Sequence, residues 1–550
     1  MSLRPMSIDP IPEETVRVAR AAFPKGNLFI RMRDELGVIF TDPSFSELYP
    51  SRGQPALAPW RLALVTLMQF VENLSDRQAA DSVRSRIDWK YVLGLVLTDP
   101  GFDFSVLSEF RTRLIDGNYE QRLLDTMLAQ LEERGVLKAR GQQRTDATHV
   151  LAAIRPLNRL EMVGETMCAA LNELAVAAPA WLLEHSRPEW LERYGVRVDV
   201  YRLPKTEAGR EALAEAIGED GHALLAAVHD PSAPGGLRGL PAVQTLRTMW
   251  IQQFRVENER VRWRKPADQP PAGRRLHSPY DPEAVCGTKR GQSWIGYKVH
   301  LTETCEGDQP HVITDVQTTS AAVTDNAMTA PIHRALAARQ LLPDRHLVDS
   351  GYIEASLLVT SRDEHRVDLI GPARPDTSWL HHAGEGYDIA AFTIDWENQT
   401  ARCPQGQTSI RWTEFKEPIR NIAIRIAFDP ATCRSCPARD SCTRSKTGPR
   451  TLSLLSRPYH EAMQTLRQEQ QTEAWKEVYA QRAGVEGLLS QGVRAFGLRC
   501  SRYIGHAKTH LQHVLTALAI NIVRLDAWWC GTPPAKTRQS RFAALMAGAS

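Results

Sequence analysis

Residues 144–154 read RTDATHVLAAI, and this stretch decides the fold. β-Branched residues alternate through it, which predicts a strand. Asp146 stands inside it, between Thr145 and Ala147, where a strand interior disfavours Asp. The cost falls if the carboxylate binds a cation. Working outward, WIGYKVHLTET (294–304) alternates cleanly, and HVITDVQTT (311–319) follows a Gly-Asp turn, predicting an antiparallel hairpin. A helix over 326–339, the short strand RHLVD (345–349), a helix from Ile353 and the strand VDLIGPA (367–373) come next. Antiparallel strands followed by strand–helix alternation predict a mixed α/β sheet.

Upstream, residues 12–136 read as helical. APWRLALVTLMQFVENL (58–74) has apolar residues at helical spacing, and Ser75 and Gln78 have capping-box spacing. A third helix is predicted over 106–115, and a fourth through YEQRLLDTMLAQLEER (119–134), stopping at Gly135. Arg84, Arg86, Lys90, Arg111 and Arg113 suggest a basic DNA-facing surface, or simply a solvated one. Between the first strand and the rest lies a helical stretch from Pro156 to Asn258, closed by the Pro-rich KPADQPPAG (265–273). Residues 375–455 break the α/β alternation with short strand-like runs and cysteines. Helix returns from Tyr459 to Leu489 and again from His506 to Trp529. There is no internal repeat.

The chain has 550 residues, and its 67 Lys and Arg against 64 Asp and Glu leave a net charge of only +3. Global charge therefore does not mark a nucleic-acid binder, and local clusters must carry that argument. The N-terminal MSLRPMSIDPIPEE lacks a signal peptide's apolar run. The apolar stretch Val514–Trp529 is interrupted by Asn521, Arg524 and Asp526, so a buried helix is expected there, not a membrane span. The expected location is the cytoplasm, with no membrane partner.

Two more acids draw attention. Asp349 ends its strand and precedes Ser350-Gly351, at the carboxyl end where ligands of α/β sheets bind; an Asp before such a turn also serves as a turn residue. In YAQRAGVEGLLSQG (479–492), Tyr479, Arg482 and Glu486 share one helix face, beside the packing residues Val485, Leu488 and Leu489. Three hard oxygen ligands suit Mg²⁺, and two ions can clamp the attacking and leaving oxygens of an in-line displacement. Asp315, inside a strand, and Asp325, as an expected N-cap, compete for the same role.

RTDATHV, SPYDPEAVCGTKRGQSWIGYKVHLTET, HLVDSGY and YAQRAGVEG together resemble the bacterial insertion-sequence DDE transposases, in the subgroup numbered eleven eighty-two. The resemblance runs from about Gly26 to Leu525. It implies an RNase H-like catalytic core, with Asp146, Asp349 and Glu486 as catalytic acids holding two Mg²⁺ (or Mn²⁺) ions. Tyr479 and Arg482 match the Tyr and Arg that precede the Glu in this class. A Lys often follows the Glu by seven positions, but Val493 stands there. Arg494 and Lys508 are the alternative cations. The implied partners are double-stranded DNA, namely the element's terminal inverted repeats and target DNA, with a homodimer in the DNA complex.

The expected architecture is α/β: an RNase H-like mixed-sheet core (137–155, 285–374 and 456–530), an all-α N-terminal domain (1–136), a helical insertion and linker (156–284), a small Cys-rich insertion (375–455) and a flexible tail (531–550). The chain has nine cysteines, and Cys403, Cys433, Cys436 and Cys442 form a cluster that could close a tetrahedral structural Zn²⁺ site or remain free thiols. Lys289 and Arg290, in the basic loop GTKRG, could contact phosphates, with Trp294 stacking on an unpaired base or lying in the core. Two other readings stay open: a two-metal DNA nuclease without strand transfer, and a non-catalytic DNA-binding regulator.

Overall fold

The computed structural model describes residues 2–5, 8–199, 201, 203–289, 291–307, 309–374, 386–415, 423–533 and 541–547. Its central sheet begins with β1 (Gln142–Leu151). In the segment that follows, β2 (Phe254–Glu257) and β3 (Arg260–Trp263) pair as a separate hairpin. The sheet resumes with β4 (Val285–Lys289), β5 (Gln292–Thr304), β6 (Ile313–Ser320), β7 (Arg345–Leu347) and β8 (Asp368–Ile370). β1 lies between β5, to which it is antiparallel, and β7, to which it is parallel; β8 extends that side in parallel. β5 pairs with β4 over its first residues and with β6 over the rest, both antiparallel. The predicted strands are present; β4 is additional.

β1 is buried along most of its length because elements cover both faces. The helix His506–Trp529 packs on β6 and on the N-terminal helices Pro59–Val71 and Glu120–Glu133. Each polar residue that interrupts it has a partner. Asn521 donates to the Ile313 carbonyl (3.0 Å) and accepts the Ile313 N–H (2.7 Å), satisfying the sheet edge. Arg524 pairs with the fully buried Glu303, which also holds Arg144 at 2.7 Å. Asp526 accepts two hydrogen bonds from Arg31, at 2.7 and 3.0 Å.

Those contacts give the N-terminal helices and the sheet one continuous hydrophobic core, from Leu3 through Leu131 and Val299 to Leu525. Residue 136 is thus a change of secondary structure and not a packing boundary. The helical insertion has a separate core, built from Leu160, Met167, Ile217, Leu246 and Trp250 among others. It differs from the expected all-helical stretch by ending in the β2–β3 hairpin. The Cys-rich segment also has its own small core, around β9 (Thr393–Asp395), β10 (Thr400–Arg402), β11 (Arg411–Phe415), β12 (Ala423–Ala427) and β13 (Thr451–Leu455). In the tail, residues 541–547 form a short helix.

The expected basic face on the N-terminal helices is largely spent internally. Arg86 pairs with Glu72 and Asp88, and buried Arg111 pairs with Asp76. Buried Lys90 donates to the Asp99 carbonyl (2.8 Å), and Arg113 lies over the Tyr49 ring. Arg84 stays exposed beside Asp81. Sequence showed these cations but not the partners that helix packing brings to them.

Candidate active site

Asp146 sits on the central strand with its side chain 13% exposed. Its Oδ1 accepts the Ala147 N–H (2.7 Å), and its Oδ2 accepts from the Arg482 guanidinium (2.7 Å). Burial raises its pKa above the ordinary carboxylate range; Arg482 opposes that shift and the nearby Asp349 adds to it. Register explains the proximity of the two acids. Arg144 is level with Leu347, the last residue of β7, and Asp146 and Asp349 each lie two residues beyond that pair.

Asp349 is held by a hydrogen bond from the Gly351 N–H to Oδ1 (2.8 Å). Glycine at 351 leaves both carboxylates in place: a Cβ there would lie 2.8 Å from Asp349 Oδ1 and 3.2 Å from Asp325 Oδ2. Asp325 therefore stands beside the second acid. It makes no capping hydrogen bond, contrary to expectation, and instead pairs with Lys298 at 3.0 Å. Asp315 belongs elsewhere: fully buried, it pairs with Arg339 at 2.8 Å.

The third element is not one continuous helix as predicted. It breaks into Arg457–Glu469, Glu473–Ala480, a turn over Gln481–Ala483, and Gly484–Phe496. Thr472 caps the second piece by accepting the Trp475 N–H (3.3 Å). Trp475, Val478 and Tyr479 pack on Leu347 and Ile370, at the carboxyl side of the sheet. The last piece buries Val485, Leu488, Gly492 and Phe496 and leaves the Glu486 side chain 73% exposed. It approaches β1 closely because Gly484 has no side chain: a Cβ there would fall 2.1 Å from Arg144 Nη1.

These placements bring the predicted residues together. The Arg482 guanidinium lies between Asp146 and Glu486, 3.8 Å from Glu486 Oε1. The Tyr479 hydroxyl is pushed up in pKa first by burial, then by the charges of Asp349, Asp146 and Glu486, so it stays protonated. Lys289 is close enough for its charge to act on Asp146. Among the described residues, no three His, Cys, Asp or Glu side chains already form a metal-ligand set.

Other predicted residues are placed differently. Trp294 is buried; its indole N–H donates to the Tyr297 carbonyl (3.1 Å), and its ring covers Gly287, its cross-strand partner. Base stacking by Trp294 is therefore corrected to a core role. Arg290 lies outside the described residues. Arg494 and Lys508 are exposed, and neither forms an ion pair with the three acids. Sequence reading missed Arg499. It is exposed and donates to Thr148 Oγ1 (2.9 Å), on the β1 face that carries Asp146. Only the fold, which returns the chain to Leu151 by a backbone bond from its N–H to the Arg499 carbonyl (2.8 Å), places it there.

Cys403, Cys433, Cys436 and Cys442 line one cavity of about 270 Å³ and are free thiols. Cys403 Sγ accepts the Gln407 N–H (3.3 Å). The Cys442 thiol is pushed up by burial, with the other three cysteines close enough to add to the shift.

Residues 402–526 match the family model described as Transposase DDE domain, and residues 17–113 match Transposase domain (DUF772). The chain thus carries a transposase DDE domain, which implies an RNase H-like core, DNA binding and a DNA transposase or nuclease activity. That core agrees with the mixed sheet around β1. Of the three acids, Glu486 falls within a matched segment. No curated protein matches the chain. Among the described residues, no helix is long and apolar enough to cross a membrane.

Proposed function

We propose that this chain is a DDE transposase of the insertion-sequence type, which cuts the ends of its element and joins them to target DNA through Asp146, Asp349 and Glu486. The observation that supports this reading is Arg482, which pairs with Asp146 at 2.7 Å and lies 3.8 Å from Glu486. The subgroup rests on the motif resemblance alone.

In this reading Asp146, Asp349 and Glu486 hold two Mg²⁺ or Mn²⁺ ions. Bound there, such ions supply a water of lowered pKa and charge stabilisation for the attacking and leaving oxygens. The chain's own groups do the rest. Arg482 orients Asp146 and offers its remaining N–H groups to a phosphate. Tyr479, kept protonated, donates its hydroxyl. Exposed Lys289 and Arg499 flank the strand and hold the DNA backbone. Water is the nucleophile for the first cut, and the freed 3′-hydroxyl attacks the second phosphodiester. A protein nucleophile is not required. Two ends must meet, so a homodimer forms on DNA.

The Cys-rich module enters this reading as a structural zinc site. Four soft donors line one cavity, and a backbone N–H already points at Cys403 Sγ.

The test is Asp349→Asn with an end-containing duplex. DNA binding persists, while nicking and joining fall by about 1000-fold or more, since losing a metal ligand removes several kcal/mol of transition-state stabilisation. Unchanged nicking refutes the assignment. Nicking without joined products in the native protein makes it a nuclease.

A further inference from the structure

The chain is nearly neutral, yet residues 238–275 hold nine Arg and Lys against three Asp and Glu, a net +6 in a whole-chain total of +3. The remainder of the protein is therefore acidic by three charges. This basic segment lies in the helical insertion, which has a core of its own. It comprises the helix Pro241–Gln253 and the β2–β3 hairpin.

The hairpin's register sets one like-charged pair beside one opposite pair, Glu257 across from Arg260. Arg255 is directly opposite Arg262. Like charges in that position repel. Arg262 is answered by Glu215 at 2.9 Å, but Arg255 has only exposed partners, Glu257 at 3.1 Å and Asp268 at 3.8 Å. Such exposed pairs contribute little. Among the described residues, Arg247, Arg260 and Lys265 form no ion pair at all.

The helix Pro241–Gln253, the helix Glu207–His229 and the hairpin enclose an open groove of about 500 Å³. Its lining includes Arg247, Arg255, Arg264, His222 and His229, and no Asp or Glu. Ile251 and Val256 stand 62% and 60% exposed along it. The two turn residues, Asn258 and Glu259, take positive φ (50° and 62°), the tight hairpin geometry that lets the strands project.

We infer that this groove and hairpin are a docking surface for duplex DNA, gripping its phosphates without reading base sequence. The inference rests on the transposase reading and adds the place where the DNA backbone is held. Arginine suits that task because its planar fork matches a phosphate, and several forks with no ion pair or only an exposed one suit the repeating charge of a duplex. The exposed aliphatic side chains lie against the sugars between phosphates. The N-terminal helices contribute less than expected because Arg86, Lys90 and Arg111 are already engaged.

The experiment compares the full-length protein with the variant Arg247→Ala/Arg255→Ala/Arg260→Ala. Binding to a fluorescent random-sequence duplex is measured over a salt series, with thermal melts and light scattering on both proteins. The expected result is unchanged melting, a 10- to 100-fold loss of affinity (order of magnitude), and a log–log salt slope flattened by about one for each phosphate contact removed. If the native protein binds DNA and the variant binds with equal affinity and slope, the docking surface is refuted while the transposase reading stands. Loss of a dimer with unchanged DNA affinity refutes it in favour of a second copy of the chain. A native protein that binds no DNA overturns both.

Discussion

Arg482 donates to Asp146 at 2.7 Å, with both side chains only 13% exposed, so a guanidinium compensates the first acid of the site from within the chain. Arg482 Nε is itself buried without a hydrogen-bond partner. Removing one partner of a buried ion pair costs about 3–5 kcal/mol when the other remains charged. Here Asp146 can take up a proton, because burial already raises its pKa. Arg482→Ala is therefore expected to lower the melting temperature of metal-free protein by a few degrees. Added Mn²⁺ should restore more stability to the variant than to the native protein, because it supplies the missing positive charge. Equal Mn²⁺ responses in the two proteins would mean that Arg482 and the cation do not share Asp146.

Gly351→Ala separates catalysis from folding. The new Cβ would lie 2.8 Å from Asp349 Oδ1 and 3.2 Å from Asp325 Oδ2. Both are side-chain ends that can swing away, so the stability loss should stay below about 1 kcal/mol. The displaced carboxylate, however, leaves its position by a fraction of an ångström or more. A misplacement of that order costs about 100-fold in rate. Nicking assays beside denaturant curves check the split; a large stability loss with normal nicking of the folded fraction contradicts it.

Much of the fold was legible because the sheet carries period-2 patterning. The strand seen at 144–154 forms over Gln142–Leu151, and the run from 294 over Gln292–Thr304. The capping box at Ser75 and Gln78 is present, and Gly135 takes φ +71°. The three acids were legible as oddities: an Asp in a strand, an Asp at a strand end, a Glu on a half-apolar helix. What stayed hidden depends on neighbours distant in sequence. Arg111 and Asp76 look free until two helices pack, and Trp294 looks available until Gly287 opens a slot beneath it. Asp325 looked like a cap, but Lys298, on the adjoining strand, claims it.

The shared core predicts the outcome of truncation. Deleting residues 1–136 uncovers the helix His506–Trp529, whose Val514, Leu515, Leu518 and Ile522 are fully buried in the core common to both parts. The remainder is expected to be insoluble or to melt without a cooperative transition. Residues 156–278, with a core of their own, should by contrast show cooperative unfolding when expressed alone. A soluble, cooperatively melting protein lacking residues 1–136 would restore the boundary suggested by sequence.

The cysteine module makes a separable prediction. Protein purified without added metal should contain about one zinc per chain, held by thiolates and distinct from the catalytic ions. Cys436→Ser should reduce that content and destabilise the module while leaving the Mg²⁺ dependence of nicking unchanged. Native protein without zinc, whose Cys403, Cys433, Cys436 and Cys442 all react rapidly with a thiol reagent, would identify them as ordinary cysteines.

Acid sensitivity should come from buried histidines. His333 Nε2 and His346 Nδ1 lie 2.9 Å apart, and His346 Nε2 is 2.6 Å from the Thr145 hydroxyl, one residue before the first acid. Burial lowers the pKa of His333 to about 4 and holds His346 well below its usual range. Burial likewise lowers His300 and His510 to about 4 and His513 to about 3. In the unfolded chain each returns to about 6.5. A depressed histidine binds its proton more readily when unfolded, so its neutral folded form is fully favoured only above pH of about 6.5. Stability is then lost as pH falls from there toward about 4, with a steep slope because several groups act together. The melting temperature should therefore decline between pH 6.5 and 4.5, with protons taken up on unfolding. Calorimetry in buffers of different ionisation enthalpy measures that uptake directly. A flat melting temperature across this window, with no proton uptake, would show that these histidines are already charged in the folded protein.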